Sequence, residues 1–342
     1  MSPIDTLYSL PGIRRGWPAK NGAIIFEQVD DNGHIRAGHI DTHGDIHLLP
    51  YATDPKLPLL DPEQLAETQA ELLVHRYRKR AVIHHGEAIT KYVRPGKAAT
   101  IAQRATQVRS ICRPLGLGAA QVSDQTDSSV TYSLLPGRTL HTLGDRGKPG
   151  WETFLQLWGG FMGAQGGVEI QEVYGADREA ATLAHWITTV ERYGAHPRIG
   201  ELKDAAGTVA GELWKTPDKH VLLHRDLHDK QLLWDGATLS VLDVDTAAWG
   251  EGALDLGNLL AHVHLRRIQG IYSGQFAAEL DAKLRAFADQ HEISARRLNA
   301  YARGTAVRLA CLYAFRPTSE DWLEEWTDLA LGGGELGALG EQ

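Results

Sequence analysis

The first 55 residues consist of short, mostly apolar runs that are separated by turn residues. The runs cover residues 22–30, 34–42 and 45–51, and they have the length and composition of β-strands. The segments "DNG" and "HGD" between them are typical of tight hairpin turns. The pattern therefore predicts a small β-meander at the N-terminus.

The meander is rich in histidine, and this composition allows two interpretations. The residues are His34, His39, His43 and His47, with Asp41 and Asp45 among them. Imidazole and carboxylate groups are metal ligands, but the same side chains also make an ordinary polar strand face. We favour the polar face.

A second sheet is predicted after the proline-rich junction at residues 54–62. Residues 63–77 have the pattern of a helix or a strand. Strands are then predicted at 80–85 and 87–93, joined at Gly86, with a helix at 98–111. Two more strands follow at 119–124 and 128–135, so the order is strand, strand, helix, strand, strand. This order predicts a small sheet that carries one helix.

From about residue 150 the spacing of apolar residues changes to three and four, which is the period of amphipathic helices. The predicted helices cover 151–163, 177–193, 199–214, 253–270, 275–291 and 295–315. One stretch, residues 221–246, interrupts them with two short strands. An α+β protein with a sheet-rich front and a helical back is expected.

Composition narrows the possible classes of protein. The 342 residues are 43% hydrophobic and 23% charged, with a net charge of −8. A nucleic-acid binder would normally show a basic surface, and no run of about 18 apolar residues suggests a membrane span. Cys112 and Cys311 are predicted to be buried thiols rather than a disulfide or zinc pair. Without a secretory pattern at the N-terminus, a cytoplasmic protein is expected.

The stretch "VLLHRDLHDKQLLWDGATLSVLDVDT" places carboxylates at the ends of two apolar runs. Asp235-Gly236 is a strong turn signal between those runs. A hairpin centred near Ala237 brings Gln231 and Asp243 side by side, with Asp226 in the preceding loop. Oxygen ligands converging in this way suit a hard cation with room for phosphate.

"HRDLHDKQ" and "LDVD" resemble the catalytic loop and the metal-binding segment of the protein-kinase-like fold. The resemblance is closest to the aminoglycoside phosphotransferase and choline kinase group, and the Gln resembles that of maltokinases and bacterial glucosamine kinases. It covers roughly residues 70 to 330 and is strong over 222–260. It implies a bilobal α+β fold with an N-lobe (59–140) and a helical C-lobe with an inserted β-hairpin (141–335). The β-meander that the strand pattern predicts is then an N-terminal extension (1–58).

The resemblance also implies roles for individual residues. Asp226 matches the catalytic aspartate, while Gln231 and Asp243 match the residues that hold Mg²⁺. Lys91 resembles the strand lysine that contacts the nucleotide phosphates. Ser133 and Leu135 are expected to bind the nucleotide, which is ATP, with GTP as an open alternative.

Four further residues are expected to support this site. His224 and His228 match histidines of the loop, although His228 also suits simple packing beneath it. Asp245 is either a second ligand on the metal side or a turn residue at a strand end. Asp255 either braces the loop, which we favour, or caps its own helix.

Three features depart from the pattern of protein kinases. The turn before the second strand is "YRKR", without the glycines that protein kinases use to approach phosphate. The following helix lacks a glutamate to pair with Lys91, for which Gln103 or Gln107 is a possible substitute. Lys91 itself is either a lysine aimed into a cleft or an edge-strand lysine reaching water. Only eleven residues separate Asp243 from Asp255, which is too short for an activation segment that binds a peptide.

The expected function is transfer of the γ-phosphoryl group of ATP to a hydroxyl of a small molecule, with a sugar or amino sugar as acceptor. The alternatives are an aminoglycoside antibiotic phosphotransferase and a catalytically inactive kinase-like binding module. Candidate acceptor contacts are Asp229, Trp322 and Glu325. For the Trp322–Trp326 pair, docking of a C-terminal helix on the core is the favoured interpretation.

Overall fold

The N-terminal extension begins with a helix and continues as a four-stranded antiparallel sheet. In this computed structural model, which describes residues 1–164, 170–332 and 336, the strand order follows the chain. The elements are α1 (Pro3–Ser9), β1 (Ile13–Pro18), β2 (Ile24–Val29), β3 (Ile35–Ile40) and β4 (Ile46–Leu48). The meander is confirmed, and α1 and β1 extend it. Ser2 and Asp5 form a capping box at the start of α1, a signal that the sequence carried.

The histidines of the extension pack on neighbouring rings. His34 stacks on Tyr51, and His39 stacks on His47, with ring centroids 4.4 and 4.5 Å apart. His47 also lies 3.4 Å from the Asp41 carboxylate. These contacts correspond to the polar strand face.

The N-lobe is a five-stranded antiparallel sheet with one long helix. The order is β5-β6-β7-β10-β9, so β7 lies in the middle of the sheet. The elements are α2 (Pro62–Glu67), β5 (Glu71–Arg76), β6 (Arg80–His85), β7 (Ala88–Val93), α3 (Ala98–Cys112), β9 (Val122–Gln125) and β10 (Ser129–Ser133). Residues 63–77, which the sequence left open, contain both a helix and a strand.

The predicted hairpin of the C-lobe belongs to a larger sheet. Its strands, β13 (Leu232–Trp234) and β14 (Leu239–Val241), lie between β11 (Arg138–Thr139) and β8 (Gly118–Ala119), in the order β11-β13-β14-β8. A second pair, β12 (His220–Leu223) and β15 (Ala248–Glu251), flanks the loop that leads into the hairpin. The hairpin therefore joins the two lobes.

Helices make up the rest of the C-lobe. They are α4 (Leu140–Leu143), α5 (Lys148–Met162), α6 (Ala176–Tyr193), α7 (Ile199–Leu213), α8 (Ala253–Ile268), α9 (Gly274–Gln290), α10 (Ala295–Tyr313) and α11 (Leu323–Leu331). α8 and α10 are buried on almost every face and form the centre of the lobe. Among the described residues, no helix is both long and apolar enough to cross a bilayer. The domain boundaries at 58 and 140 remain predictions, and the boundary at 335 lies outside the described residues.

The extension shares its hydrophobic core with the C-lobe. Leu7, Ile13 and Phe26 belong to the same buried cluster as the side chains of α8 and α10. β1 runs so close to the end of α10 that a Cβ at Gly16 would lie 2.3 Å from the Phe315 carbonyl oxygen. Glycine is the residue that permits such a backbone approach.

The extension also bonds to the N-lobe. The buried Glu27 carboxylate of β2 accepts a hydrogen bond of 2.7 Å from the backbone N–H of His75 in β5. The meander thus bridges both lobes along one side of the cleft between them.

Replacement of Phe26 by alanine tests whether the extension is part of the common core. Phe26 is fully buried, and loss of such a ring costs about 3–5 kcal/mol. The free energy of unfolding in urea should fall by this amount in a single transition. The control Ile46→Ala removes a side chain that is 48% exposed and should cost no more than about 1 kcal/mol. A separate early transition of the extension, with the main transition unchanged, would contradict the shared core.

Candidate active site

The loop that contains Asp226 is held from below by the start of α8. The Asp255 carboxylate accepts hydrogen bonds from the backbone N–H groups of His224 (2.7 Å) and Arg225 (2.8 Å). Burial raises the pKa of Asp255 to about 6. One turn further along α8, the Asn258 amide donates to the Leu227 carbonyl at 2.7 Å. These bonds fix Arg225 in a left-handed conformation with φ of 74°, which a non-glycine residue adopts only when its surroundings enforce it.

His224 connects this loop to the end of the hairpin. Its Nε2 lies 2.7 Å from the Leu242 carbonyl, and its Nδ1 lies 3.3 Å from the backbone N–H of Asp226. Because a carbonyl only accepts and an N–H only donates, the ring must carry its proton on Nε2. One imidazole therefore sets the positions of the loop and of the residue before Asp243.

The hairpin register differs from the expected one by one residue. Trp234 pairs with Leu239, and the Leu242 N–H donates to the Gln231 carbonyl at 2.9 Å. The expectation that Gln231 stands opposite Asp243 is therefore wrong. The Asp235 carboxylate caps the N–H groups of Ala237 and Thr238 at 2.8 and 2.7 Å, which closes a four-residue turn centred between Gly236 and Ala237.

The side chain of Lys91 reaches from the N-lobe to the end of the hairpin. Its Nζ lies 2.9 Å from Asp243 Oδ1 and 2.7 Å from Asp245 Oδ2. Burial alone would lower the pKa of Lys91, but the two carboxylates outweigh it and the pKa is raised. Burial would likewise raise the pKa of Asp243, but Lys91 and Arg80 hold it well below its usual value. The three groups form one charged cluster.

Two questions that the sequence left open are settled by this cluster. β7 is a central strand and Lys91 is only 8% exposed, so Lys91 is a cleft lysine and not an edge lysine. Its ionic partners are Asp243 and Asp245 rather than a side chain of α3. Gln103 is exposed to solvent. Asp245 is more than a turn residue, because its carboxylate makes the shorter of the two ion pairs.

The charged cluster lies at one end of a cavity of about 390 Å³ between the lobes. The rest of the cavity is mostly apolar, as small-molecule sites generally are. Its lining includes Ser133, Leu135 and Gln231, which the sequence predicted, together with Val82 and Arg80. Sequence reasoning missed Arg80, whose guanidinium lies 3.9 Å from Asp243. Arg80 is the last residue of the basic turn "YRKR", and the positive charge of this turn is the feature of the sequence that indicates it.

The residues at this end of the cavity fit a hard divalent cation. Asp243 and Asp245 offer carboxylate oxygens, which such cations prefer. The Gln231 side chain lines the same cavity and makes no hydrogen bond with any residue that the structure describes. Its amide oxygen is therefore free to join the two carboxylates.

Asp229, expected to touch the acceptor, is instead the buried anchor of the loop. It is 2% exposed, and its oxygens lie 2.7 and 2.9 Å from the Arg266 guanidinium and 2.9 Å from His141 Nδ1. Despite burial, Arg266 and His141 hold the pKa of Asp229 well below its usual value. With three hydrogen bonds from Arg266 and His141 and almost no exposed surface, this carboxylate is part of the buried framework of the loop.

His228 packs beneath the loop, where its ring stacks on His262 at 4.6 Å. In the described ranges, His228, His262 and Asp229 form a group of three side chains whose nitrogen and oxygen atoms are close enough to bind one metal ion. The Arg266 guanidinium contacts both Asp229 and the Nδ1 of His262. A cation already occupies this group, so the group serves packing.

The remaining predicted residues are Trp322, Glu325 and Asp226, of which the first two lie at the start of α11. Trp326 is fully buried and donates to the Ala306 carbonyl at 3.1 Å, which confirms the docked helix. Trp322 is half-buried against Tyr313, with ring centroids 4.7 Å apart. Glu325 and the catalytic candidate Asp226 are exposed.

The arrangement as a whole defines a protein-kinase-like bilobal fold. An antiparallel sheet with one helix, a helical lobe, and an ion-paired cluster between them occupy the positions that the resemblance implied. No family model and no curated protein matches the chain, so the comparison rests on solved structures.

Three solved structures have the same fold at low identity. A choline/ethanolamine kinase family protein from Mesorhizobium loti is 14% identical, with a TM-score of 0.52 over 81% of this chain and 90% of that one. Aminoglycoside phosphotransferase APH(3'')-Id from Streptomyces rimosus is 16% identical, with a TM-score of 0.53 over 73% and 95%. Amicoumacin kinase hAmiN, in complex with AMP-PNP and Ca²⁺, is 14% identical, with a TM-score of 0.54 over 81% and 90%. At these identities the likeness establishes the fold.

Replacement of Asp229 by alanine tests its role as an anchor. The change leaves the Arg266 guanidinium buried without its carboxylate, which costs about 3–5 kcal/mol. Urea unfolding should show a loss of this size. Asp289→Ala, at an exposed position near the end of α9, is the control and should change stability by less than about 0.5 kcal/mol. Equal stability of the two variants would mean that Asp229 is not a structural anchor.

Proposed function

We propose that this protein is an ATP-dependent phosphotransferase that phosphorylates a hydroxyl group of a small molecule. The observation that carries the proposal is the Lys91–Asp243–Asp245 cluster at the end of an apolar cavity, next to a braced loop that presents Asp226. Phosphoryl transfer requires positioning and charge neutralisation more than covalent chemistry. This arrangement supports both requirements.

The polar end of the cavity is suited to the nucleotide phosphates. Lys91 and Arg80 supply positive charge to the phosphate oxygens, and the apolar remainder accommodates the base and ribose next to Ser133 and Leu135. Asp243, Asp245 and Gln231 would hold Mg²⁺, which when bound neutralises charge on the transferring phosphoryl group. ATP is the expected nucleotide, with GTP as the alternative.

Asp226 has the position and character of the residue that receives the acceptor proton. Asp226 is exposed, while its backbone is fixed through His224. The acceptor oxygen forms a bond to the γ-phosphorus as the bond from that phosphorus to the bridging oxygen of ADP breaks. The proton of the hydroxyl passes to the Asp226 carboxylate, and the products are ADP and a phosphate ester.

A small acceptor is favoured over a protein acceptor. Only eleven residues connect Asp243 to Asp255, and most of them form a 3₁₀ turn and β15, which leaves no free activation segment. The resemblance of Gln231 favours a sugar or amino sugar. The shared fold with APH(3'')-Id favours an aminoglycoside. An inactive binding module has no physical reason to keep the cation-binding oxygens and Asp226 together.

Two substitutions test the assignment of the active site. Asp226→Asn removes the proton acceptor and should lower kcat by about 10²–10⁴-fold. Asp243→Ala removes a charge partner and a cation ligand and should lower kcat at least about 100-fold. The measurement is ATP consumption over a panel of monosaccharides, amino sugars, disaccharides, aminoglycosides and choline, repeated with GTP.

Asp289→Asn is the matched control, and circular dichroism should show that all three variants are folded. Wild-type activity in the Asp226→Asn variant would overturn the proposed site.

Metal removal gives an independent test. EDTA should abolish nucleotide consumption, and added Mg²⁺ should restore it. Gln231→Ala should raise the Mg²⁺ concentration for half-maximal activity at least about tenfold. Binding of Mn²⁺, followed by electron paramagnetic resonance, should weaken to the same extent. The control Gln103→Ala changes an exposed glutamine of α3 and should bind Mn²⁺ as the wild type does. Unchanged Mn²⁺ binding in Gln231→Ala would remove Gln231 from the ligand set.

A further inference from the structure

Four cationic side chains from four separate segments gather beside the candidate active site. We name them the basic cluster: Arg15 of β1, Arg76 of β5, Lys230 of the catalytic loop, and Arg316 after α10. Gly16 lies against the backbone of Phe315, so β1 brings Arg15 next to Arg316. The guanidinium of Arg76 lies 4.8 Å from the Trp17 ring of the same strand. The extension therefore holds the cluster together.

A β-bulge helps to orient the arginines of β1. The register of β1 against β2 shifts between Ile13 and Arg15, and such a bulge turns consecutive side chains toward one face. Arg14 and Arg15 consequently both lie within 4 Å of Glu27, at 3.6 and 3.9 Å. Among the described residues, Glu27 is the one carboxylate within ion-pair distance of any member of the basic cluster, and Arg14 shares it.

The other three members have no hydrogen bond or ion pair from their charged groups to any described residue. The Nε atoms of Arg76 and Arg316 are buried without a hydrogen-bond partner, and Arg316 stacks over the Tyr313 ring at 4.8 Å. Buried donors without partners cost stability. Among the described residues, the ion-pair partner of these four cations is the shared Glu27 alone, which leaves a site that an anion would complete.

The members of the basic cluster lie within range of one another's charge. The positive charges of Arg266, Arg15 and Arg316 act on Lys230, and the Asp229 carboxylate opposes them. Burial, with Arg80 and Arg316, lowers the pKa of Arg76 to about 10. Neighbouring like charges repel unless an opposite charge lies between them.

The basic cluster lies where an acceptor must lie. Lys230 precedes Gln231 and follows Asp226 by four residues. Arg76 stands opposite Arg80 in the pairing of β5 with β6, and Arg80 lines the nucleotide cavity. The cluster thus extends from the phosphate end of the cavity to the catalytic loop, on the side that the extension covers.

We propose that the acceptor carries an anionic group, a carboxylate or a phosphate ester, and that the basic cluster binds it. This proposal rests on the proposed function and specifies its substrate class. Guanidinium groups match the geometry of both anions through paired hydrogen bonds. A polycationic aminoglycoside or choline would meet charge of its own sign here. The N-terminal extension is then part of the acceptor site.

Binding of simple anions to the nucleotide-loaded protein tests the proposal. The protein is saturated with Mg²⁺ and AMP-PNP so that the phosphate end of the cavity is filled. Inorganic phosphate and acetate are then titrated by calorimetry, and the tighter of the two identifies the preferred anion. We expect saturable binding that weakens at least tenfold in Arg316→Gln and in Lys230→Gln. Lys230 is exposed, so its replacement leaves the fold intact if the arginine variant does not fold.

Lys20→Gln, an exposed site in the same extension, is the control and should bind both anions as the wild type does. The proposal is overturned if neither anion binds, if both variants bind as tightly as the wild type, or if glucosamine binds more tightly than phosphate and acetate. These outcomes are distinct from a failure of the proposed function, in which AMP-PNP itself does not bind.

Discussion

The contact of Lys91 with Asp243 and Asp245 is the interaction on which the rest of the site depends. It joins a central strand of the small lobe to the end of a hairpin in the large lobe, across 152 and 154 residues of chain. Two carboxylates so close together need a positive charge between them. The lysine supplies it, and in doing so closes the cavity at the end where phosphate and a divalent cation would bind.

The large lobe keeps its side of this contact in place with polar bonds to buried groups. Asp255 and Asn258 of α8 hold the loop backbone, and His224 ties the loop to the hairpin. Beneath them, Arg266 and Asp229 neutralise each other. Catalytic groups need positions fixed to a fraction of an ångström. These bonds provide such positions without occupying Asp226, Gln231 or the cavity itself.

The local charge beside the cleft is opposite in sign to the net charge of the chain. The net charge is −8, yet the side of the cleft covered by the extension carries Arg15, Arg76, Lys230 and Arg316. An acceptor responds to the local field, because charges further away than about 10 Å are screened by salt. The overall balance predicts that the protein has no nucleic-acid surface, but it gives no information on the acceptor.

The sequence by itself determined the elements and the chemistry of the loop. Turn residues and apolar spacing located the meander, the N-lobe sheet and the C-lobe helices, because those patterns depend on neighbours within a few positions. The spacing of Asp226, Gln231 and Asp243 indicated a cation site for the same reason. The one-residue register error arose in the turn, where the Asp235 carboxylate caps the N–H groups of Ala237 and Thr238 and the turn is centred before Ala237.

Only the tertiary structure decided which distant residues meet. Lys91 finds its carboxylates, Asp229 is withdrawn from the cleft by Arg266, and the extension brings Arg15 to Arg316. None of these pairings leaves a periodic signal, because each is set by the packing of elements more than 30 positions apart in the chain. Local pattern therefore specified the candidate site residues of this protein, and long-range packing specified which of them lie together.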